Sequence, residues 1–432
     1  MAVTIEKVSD PAGQYSTAYR IYALILLLLV YISNYADRQI LGILTEAIKH
    51  EFGVSDSAMG LLGGFAFAIF YATLGVPIAL LADRSNRRNI IAAATAIWSV
   101  MTAVCGLAGS FTQLLVARIG VGVGEAGGSP PAHSIIADLF PREQRATALA
   151  IYALGVPLGL VVGLFIGGSI SQAYGWRMAF VALGAPGLLL ALLVVFTLRE
   201  PRRGQTDGVA PAAAPPLGTV VRFMWSQRSL RHAIAGATLT TLVGYAGVQW
   251  WPPFLMRSHG LSVVDVGLFL ALVFGVASAF GTFMGGLLAD RLSKRDAKWG
   301  SWVVTFAILG SFPFGIAVYL TGDSTLVFAL IFIPAMASGL YLAPTFAMVQ
   351  NLVGVGMRSV AAAILLFTIN LIGMGLGPTL AGVLSDLLKP DYGADSLRYA
   401  LLMVGFLNLW AALHYFLAGP KLAADYERAR QA

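Results

Sequence analysis

Two acids and two bases stand apart from every other charge in this sequence. Asp37 and Arg38 lie in "NYADRQ", near the end of an apolar run that begins at Ile21, and Arg118 and Glu125 lie in "RIGVGVGEAGG", inside another. The other nineteen of the 21 Asp and Glu residues fall in tails, in loops or at the ends of apolar runs, and the remaining Lys and Arg residues do the same. A charge at the middle of a bilayer costs on the order of 3 kcal/mol on insertion scales, so such groups pair with one another or face a water-filled cavity. One reading is a permanent ion pair that only fixes helix packing, but desolvation of both partners can exceed its Coulomb gain. The other is chemistry. Burial favours the neutral form of a carboxylic acid and a neighbouring Arg favours the ionised form. Moving that Arg, or lending it to an anion, would therefore load the acid with a proton. Asp37 and Glu125 are the candidate proton carriers, and Arg38 and Arg118 are their charge partners and the candidate anion binders, for phosphate or carboxylate alike.

The elements that hold these groups must be membrane helices. Of 432 residues, 58% are hydrophobic and only 11% charged, far from the roughly one quarter charged in a soluble globule. Apolar runs of spanning length recur at about 21–44, 58–82, 89–109, 112–137, 144–171, 178–198, 232–256, 262–289, 300–321, 324–349, 359–386 and 396–419, which makes twelve spans. Helical spacing puts Tyr31, Asn34 and Arg38 on one polar stripe of the first span, with Ser33 and Asp37 beside it. Arg118, Gly122, Glu125 and Ser129 share a face of the fourth. Adjacent side chains diverge by about 100° around a helix, so Asp37 and Arg38 cannot face one point. Asp37 is expected to answer to Arg118, and Arg38 to Glu125 or to a cavity.

Loop charges orient the chain. The tails and the even-numbered loops hold 21 of the 28 Lys and Arg residues, which places both termini in the cytoplasm of a cell membrane, a bacterial inner membrane. A tail over 1–20, a six-span unit over 21–198, a Pro/Ala/Gly-rich linker over 199–231 that ends in a short basic surface helix, a second six-span unit over 232–419 and a tail over 420–432 follow. The first apolar run has no cleavage site and reads as a retained span. The single cysteine, Cys105, allows no intrachain disulfide and no cysteine metal centre. No phosphate-binding G-x-x-x-x-G-K loop occurs, and "GVGVGEAGG" follows no strand, so no metal, cofactor or nucleic acid is called for. Nothing resembles an activated nucleophile, which argues against a membrane enzyme. A non-transporting receptor remains the other class of alternative.

The halves repeat. "ALLADRSNRR" from Ala79 matches "GLLADRLSKR" from Gly286 at an offset of 207, and Arg145 aligns with Arg358 at 213. Parallel six-span repeats are a transporter pattern. The two loops resemble the G-x-L-A-D-R-x-G-R-K signature of the major facilitator superfamily, although Ala79, Asn86 and Ser293 replace its glycines. "NYADR" and "RIGVGVGEAGGSPPAHSIIADLF" further resemble its Spinster branch of proposed lysolipid and sphingoid-lipid exporters. The resemblance implies an all-helical transporter of two pseudo-symmetric six-helix bundles working by alternating access, a monomer that moves protons and an amphipathic, lysolipid-like anion through membrane lipid. A symporter of small organic acids is the alternative. It also implies that Asp83, Arg84, Arg87 and Arg88, with Asp290 and Arg291, close the cytoplasmic side. The glycines of "GVPLGLVVGLFIGG" suit close packing of the fifth span. The second half has no counterpart of Glu125 and offers aromatic and amide candidates for the cavity wall: Tyr245, Gln249, Trp250, Tyr341, Phe367 and Asn370. His133, two turns beyond Glu125, is a weaker candidate for a proton relay, since a lone helical His is more often structural.

Overall fold

The computed structural model describes residues 15–203 and 216–430, apart from the side chains of Asp83, Arg142, Ala146 and Val355. Helices account for twelve crossings. The first span is Thr17–Phe52. The second joins Asp56–Gly63 to Phe65–Arg84, the third is Arg87–Gly106, and the fourth joins Phe111–Glu125 to Ser129–Leu139. The fifth runs over 142–174 and the sixth is Trp176–Thr197. The seventh is Arg228–His259, the eighth covers 263–293, the ninth is Trp299–Leu320 and the tenth covers 324–351. The eleventh covers 358–392 and the twelfth 396–418. Short helices Leu217–Ser226 and Leu422–Arg430 flank the second half.

The first helix outruns its apolar core at both ends. Ser16 caps its start by accepting from the Tyr19 N–H, and the helix stops only at Gly53, whose φ of 64° lies in the left-handed region. Hydropathy marks the bilayer, whereas caps mark the helix. The last two turns therefore carry Glu46, Lys49 and Glu51 beyond the apolar run.

Packing repeats with the sequence. Spans one and five, one and six, two and four, and three and six pack together in the first half. Their counterparts seven and eleven, seven and twelve, eight and ten, and nine and twelve do so in the second. The halves meet through span two against eleven, five against eight, and one against seven. The first two pairs are made of four spans that all depart from regular α-helix: span two breaks at Gly64, and spans five, eight and eleven each contain a π-helical turn, over Val162–Ile166, Val273–Ser278 and Ile369–Met374. Such turns concentrate where function needs an irregular helix. The glycines at 155, 159, 163 and 167, one per turn, seat span five on Tyr31, Tyr35, Ala36 and Ile40 of span one. A Cβ at Gly163 would lie 2.7 Å from the Ala36 carbonyl oxygen, so only glycine allows this approach.

Candidate functional site

The four charges converge where spans one and four cross, beside a break in span four. Glu125 ends the Phe111–Glu125 segment, and the chain turns through Ala126–Gly128 before Ser129–Leu139 begins. Gly124 lets span four press against span three, because a Cβ there would sit 2.6 Å from the Trp98 backbone nitrogen. The Arg38 guanidinium donates twice to Glu125 Oε2, from Nε at 3.1 Å and from Nη2 at 2.6 Å. Relative exposure is 0% for Asp37, 9% for Arg38, 1% for Arg118 and 2% for Glu125, so solvent screens none of this. Arg118 does not reach the Asp37 carboxylate as expected. Its Nη1 and Nη2 donate to the backbone carbonyls of Asp37 (2.9 Å) and Arg38 (3.1 Å), stapling span four to span one. The Asp37 carboxylate stands beside Thr102 of span three, with Arg118 and Glu125 also near it.

Aromatic rings enclose Arg38. Its guanidinium carbon lies 4.7 Å from the ring centre of Tyr71, 4.9 Å from Tyr35 and 5.1 Å from Phe67. Phe67 is shared, since Arg118 also lies 5.1 Å from it. Cation–π attraction strengthens when such groups are desolvated. Phe67 and Tyr71 were not legible as site residues, because "FAFAIFYATL" is almost wholly apolar, and Tyr35, although it lies inside "NYADRQ", was not singled out. The spacing of Phe67 and Tyr71 by four, matching Tyr31 and Tyr35, was the available signal.

The other candidates divide. Tyr31 stacks flat on Tyr152, with centroids 4.4 Å apart, and Asn34 is buried beside Glu125. Ser129 lies beside Tyr152. Tyr245 of the second half stands beside Arg38, and Tyr341 shares a 2.8 Å hydrogen bond with Thr241. Phe367 is exposed and Asn370 sits in the π-helical turn of span eleven. Gln249 and Trp250 belong elsewhere in this conformation. Gln249 donates to Thr45 across the halves and Trp250 is fully enclosed, donating to the Pro378 carbonyl. Its neighbour Trp251 instead lines a cavity of about 80 Å³ inside the second half, bonded to Tyr319. His133 is exposed, pairs through Nδ1 with the Ser129 carbonyl of its own helix, and packs edge-on against Tyr152.

The two ends of the bundle hold different networks. At the end nearest the termini, the Asp83 side chain lies outside the described residues, while Arg84, Asp290 and Arg291 are exposed. Arg87 is buried and donates to Glu200, Ser134, Asp138 and the Pro201 carbonyl, so it ties the starts and ends of spans within the first half. Arg88 meets Glu200 through its backbone N–H. At the far end the contacts cross between halves. Arg257 of span seven donates to Glu46 and, through two nitrogens, to Asp56 at 2.7 and 2.8 Å. Lys49 and Ser385 complete the Asp56 shell. Asp386 of span eleven accepts from the Asp56 and Ser57 N–H groups, capping the first helix of span two from the opposite half. Read as loop charges, these residues had given no sign of a shared site.

The fold and this paired arrangement define a class of membrane transporter. The family model described as Major Facilitator Superfamily matches residues 27–378, and the chain belongs to that family. It is a multi-pass membrane transporter that works by alternating access, and not an enzyme. Within the family, an MFS-type efflux pump of Mycolicibacterium smegmatis is 35% identical over 93% of this chain and 92% of its own. Protein spinster homolog 1 of Xenopus laevis is 28% identical over 91% of this chain and 79% of its own. The hexuronate transporter of Bacillus subtilis is 26% identical over 90% and 92%. The crystal structure of a bacterial homolog to the human lysosomal transporter Spinster, inward-facing and unoccupied, superposes with a TM-score of 0.86 at 33% identity, over 95% of this chain and 99% of that one. The Spinster likeness read from spans one and four thus extends over 95% of the chain.

Proposed function

We propose that this protein is a proton-coupled transporter of an amphipathic, lysolipid-like anion, with both termini in the cytoplasm of a bacterial inner membrane and a monomer as the working unit. The observation that carries the reading is the Arg38–Glu125 pair inside an aromatic enclosure, with Tyr245 of the opposite half beside it. While Glu125 is ionised it holds Arg38. A proton on Glu125 removes the counter-charge and frees the guanidinium for a phosphate or carboxylate. The bound anion in turn keeps Glu125 from recapturing Arg38, which links proton and substrate occupancy. Aromatic walls suit a ligand with an apolar body. With the termini inside, the Arg257 network closes the external end, and the Asp83 and Asp290 loops with Arg84, Arg88 and Arg291 shut the cytoplasmic side in the opposite state.

A second reading, symport of small organic acids, draws on the hexuronate transporter relative. Uptake into proteoliposomes under an imposed pH gradient decides between them. A panel should include lysophosphatidylglycerol, lysophosphatidylethanolamine, sphingosine phosphate and a hexuronate. Gradient-driven uptake of a lysolipid is expected. Uptake of hexuronate alone would overturn the lipid reading, and uptake indifferent to the gradient would overturn proton coupling.

A further inference from the structure

We propose that Gln249 and Thr45 form an inner gate on the far side of the Arg38 site, and that the facing polar residues of spans one and seven become the passage for the anionic headgroup when the halves part. The gate needs only alternating access, whereas the anion as its cargo rests on the function proposed above.

Span one carries polar residues beyond Arg38 on the same face. Thr45 lies two turns on, and Lys49 one turn more. Span seven runs alongside. It offers Tyr245 beside Arg38, Gln249 one turn further and Arg257 two turns beyond that. The partners match in order. Gln249 Nε2 donates to Thr45 Oγ1 at 2.9 Å. Arg257 meets Glu46 and Asp56, and Lys49 also holds Asp56. Gln249 and Arg257 thus each join the second half to the first.

The Gln249–Thr45 contact is closely packed. Thr45 exposes 0% of its surface and Gln249 7%. A Cβ on Gly63 of span two would sit 2.6 Å from Gln249 Oε1, and one on Gly42 of span one would sit 3.2 Å from the Val248 carbonyl oxygen. Two glycines therefore bring spans one and two against the Gln249 turn and leave no gap for a headgroup. Beyond it, Trp250 donates to the Pro378 carbonyl, and a Cβ on Gly60 would lie 2.5 Å from the same oxygen.

A seal alone would be served by apolar side chains. A buried amide and a buried hydroxyl cost desolvation unless they are bonded. Here Gln249 donates to Thr45, and Thr45 donates on to the Leu41 carbonyl at 2.8 Å. Parting the halves breaks the first of these bonds and frees the amide N–H. An amide and a hydroxyl can hydrogen-bond a phosphate or a carboxylate, and neither carries a charge that would hold it there. At the mouth Arg257 loses Glu46 and Asp56, which both belong to the first half, so a free guanidinium is the next partner. The headgroup passes between two arginines over a neutral rung.

The full-length protein in proteoliposomes tests this in two ways. Its one cysteine, Cys105, is buried, so introduced thiols report alone. First, Thr45→Cys combined with Gln249→Cys is bridged by mercuric ion. Gradient-driven uptake of lysophosphatidylglycerol is expected to fall at least tenfold and to return with dithiothreitol, while mercury leaves the wild type at its full rate. Bridged protein that still transports would overturn the gate. Second, Thr45→Cys alone meets a membrane-impermeant methanethiosulfonate applied from the side opposite the termini. Labelling is expected to run about tenfold faster when Arg257→Gln is added, and lysophosphatidylglycerol on that side should slow it several-fold. Ile40→Cys, at a position that packs on Gly167 of span five in the same half, is expected to stay unlabelled throughout. Thr45→Cys labelling that ignores Arg257→Gln, or that stays as low as that of Ile40→Cys, would put the passage elsewhere and overturn the proposal. If hexuronate is taken up and no lysolipid is, a bridge that stops hexuronate uptake would refute the lipid reading and leave the gate standing.

Discussion

Two of the molecule's arginine–carboxylate networks, around Arg38 and around Arg257, answer to different events. Arg38 and Glu125 both belong to the first six spans and are almost wholly enclosed. Arg257 belongs to the second six, its partners Glu46 and Asp56 to the first, and the network lies near the far surface. Rocking of one half against the other leaves the first pair untouched and must break the second. On the proposed function, the inner pair registers a proton or an anion in either access state, and the outer network registers only the state. An ion pair inside a rigid unit serves as a chemical site. The same chemistry across a moving boundary serves as a latch.

The largest expected effect breaks the inner pair. Glu125→Gln should abolish gradient-driven uptake of a lysolipid while the protein still inserts and purifies. Gln keeps an acceptor for Arg38 but strands its charge, so a stability loss of about 3–5 kcal/mol is expected. Inter-probe distances across the far end should stay as in the wild type. Uptake that still follows the pH gradient in this variant would remove Glu125 from the coupling machinery.

Next in size is the staple. Arg118→Gln loses two charge-assisted bonds to the carbonyls of Asp37 and Arg38, and a loss of about 3 kcal/mol in thermal stability is expected. Asp37→Asn replaces a buried carboxyl whose oxygens make no hydrogen bond of ordinary geometry by a neutral group of the same shape, and should leave stability equal or higher. Because Arg118 grips backbone, the double variant should be additive within about 0.5 kcal/mol. A coupling above about 1 kcal/mol would mean that the carboxylate swings round to Arg118, and would erase the division between the two faces of span one.

Loosening the latch comes third. Arg257→Gln should shift the population toward states open at the far end by about tenfold, or 1.4 kcal/mol, as coupling energies of this kind run. Double electron–electron resonance between labels near Lys49 and Arg257 reads that shift. An unchanged distance distribution would show that Asp386 capping span two, rather than the ion pairs, holds the end closed, and Asp386→Asn would then become the informative variant.

How far such contrasts could be read beforehand depended on the physics behind each. The twelve spans, the repeat and the four deep charges follow from hydropathy and charge cost, which act locally, so pattern alone exposed them. The glycine row of span five likewise follows from its spacing. The ends of span one did not, because Ser16 and Gly53 terminate a helix that the bilayer does not. The 100° divergence correctly sent Asp37 and Arg38 to different faces. It named the wrong partner for Asp37, since a backbone carbonyl as the acceptor for Arg118 leaves no mark in side-chain pattern. Phe67 and Tyr71 looked like any apolar span. Asp56 and Arg257 are 201 residues apart and looked like ordinary loop charges, and only the docking of the halves makes them one site.

The smallest expected effect concerns the residue that touches both systems. Tyr245 is carried by span seven, the helix that ends in Arg257, yet its hydroxyl stands beside Arg38. Tyr245→Phe keeps the ring and its packing and removes only that hydroxyl. The Arg38–Glu125 pair remains, so stability should change little. One polar contact to the cation is lost, and a net hydrogen bond is worth about 1 kcal/mol, so apparent affinity for a lysolipid anion should weaken about fivefold. Fluorescence-monitored binding of lysophosphatidylglycerol at fixed pH measures this, with the far-end distances recorded on the same samples. If affinity holds and the distances move instead, Tyr245 belongs with Arg257 as part of the latch. The inner pair would then have no direct partner in the second half, and binding at Arg38 would have to be sensed through the aromatic enclosure alone.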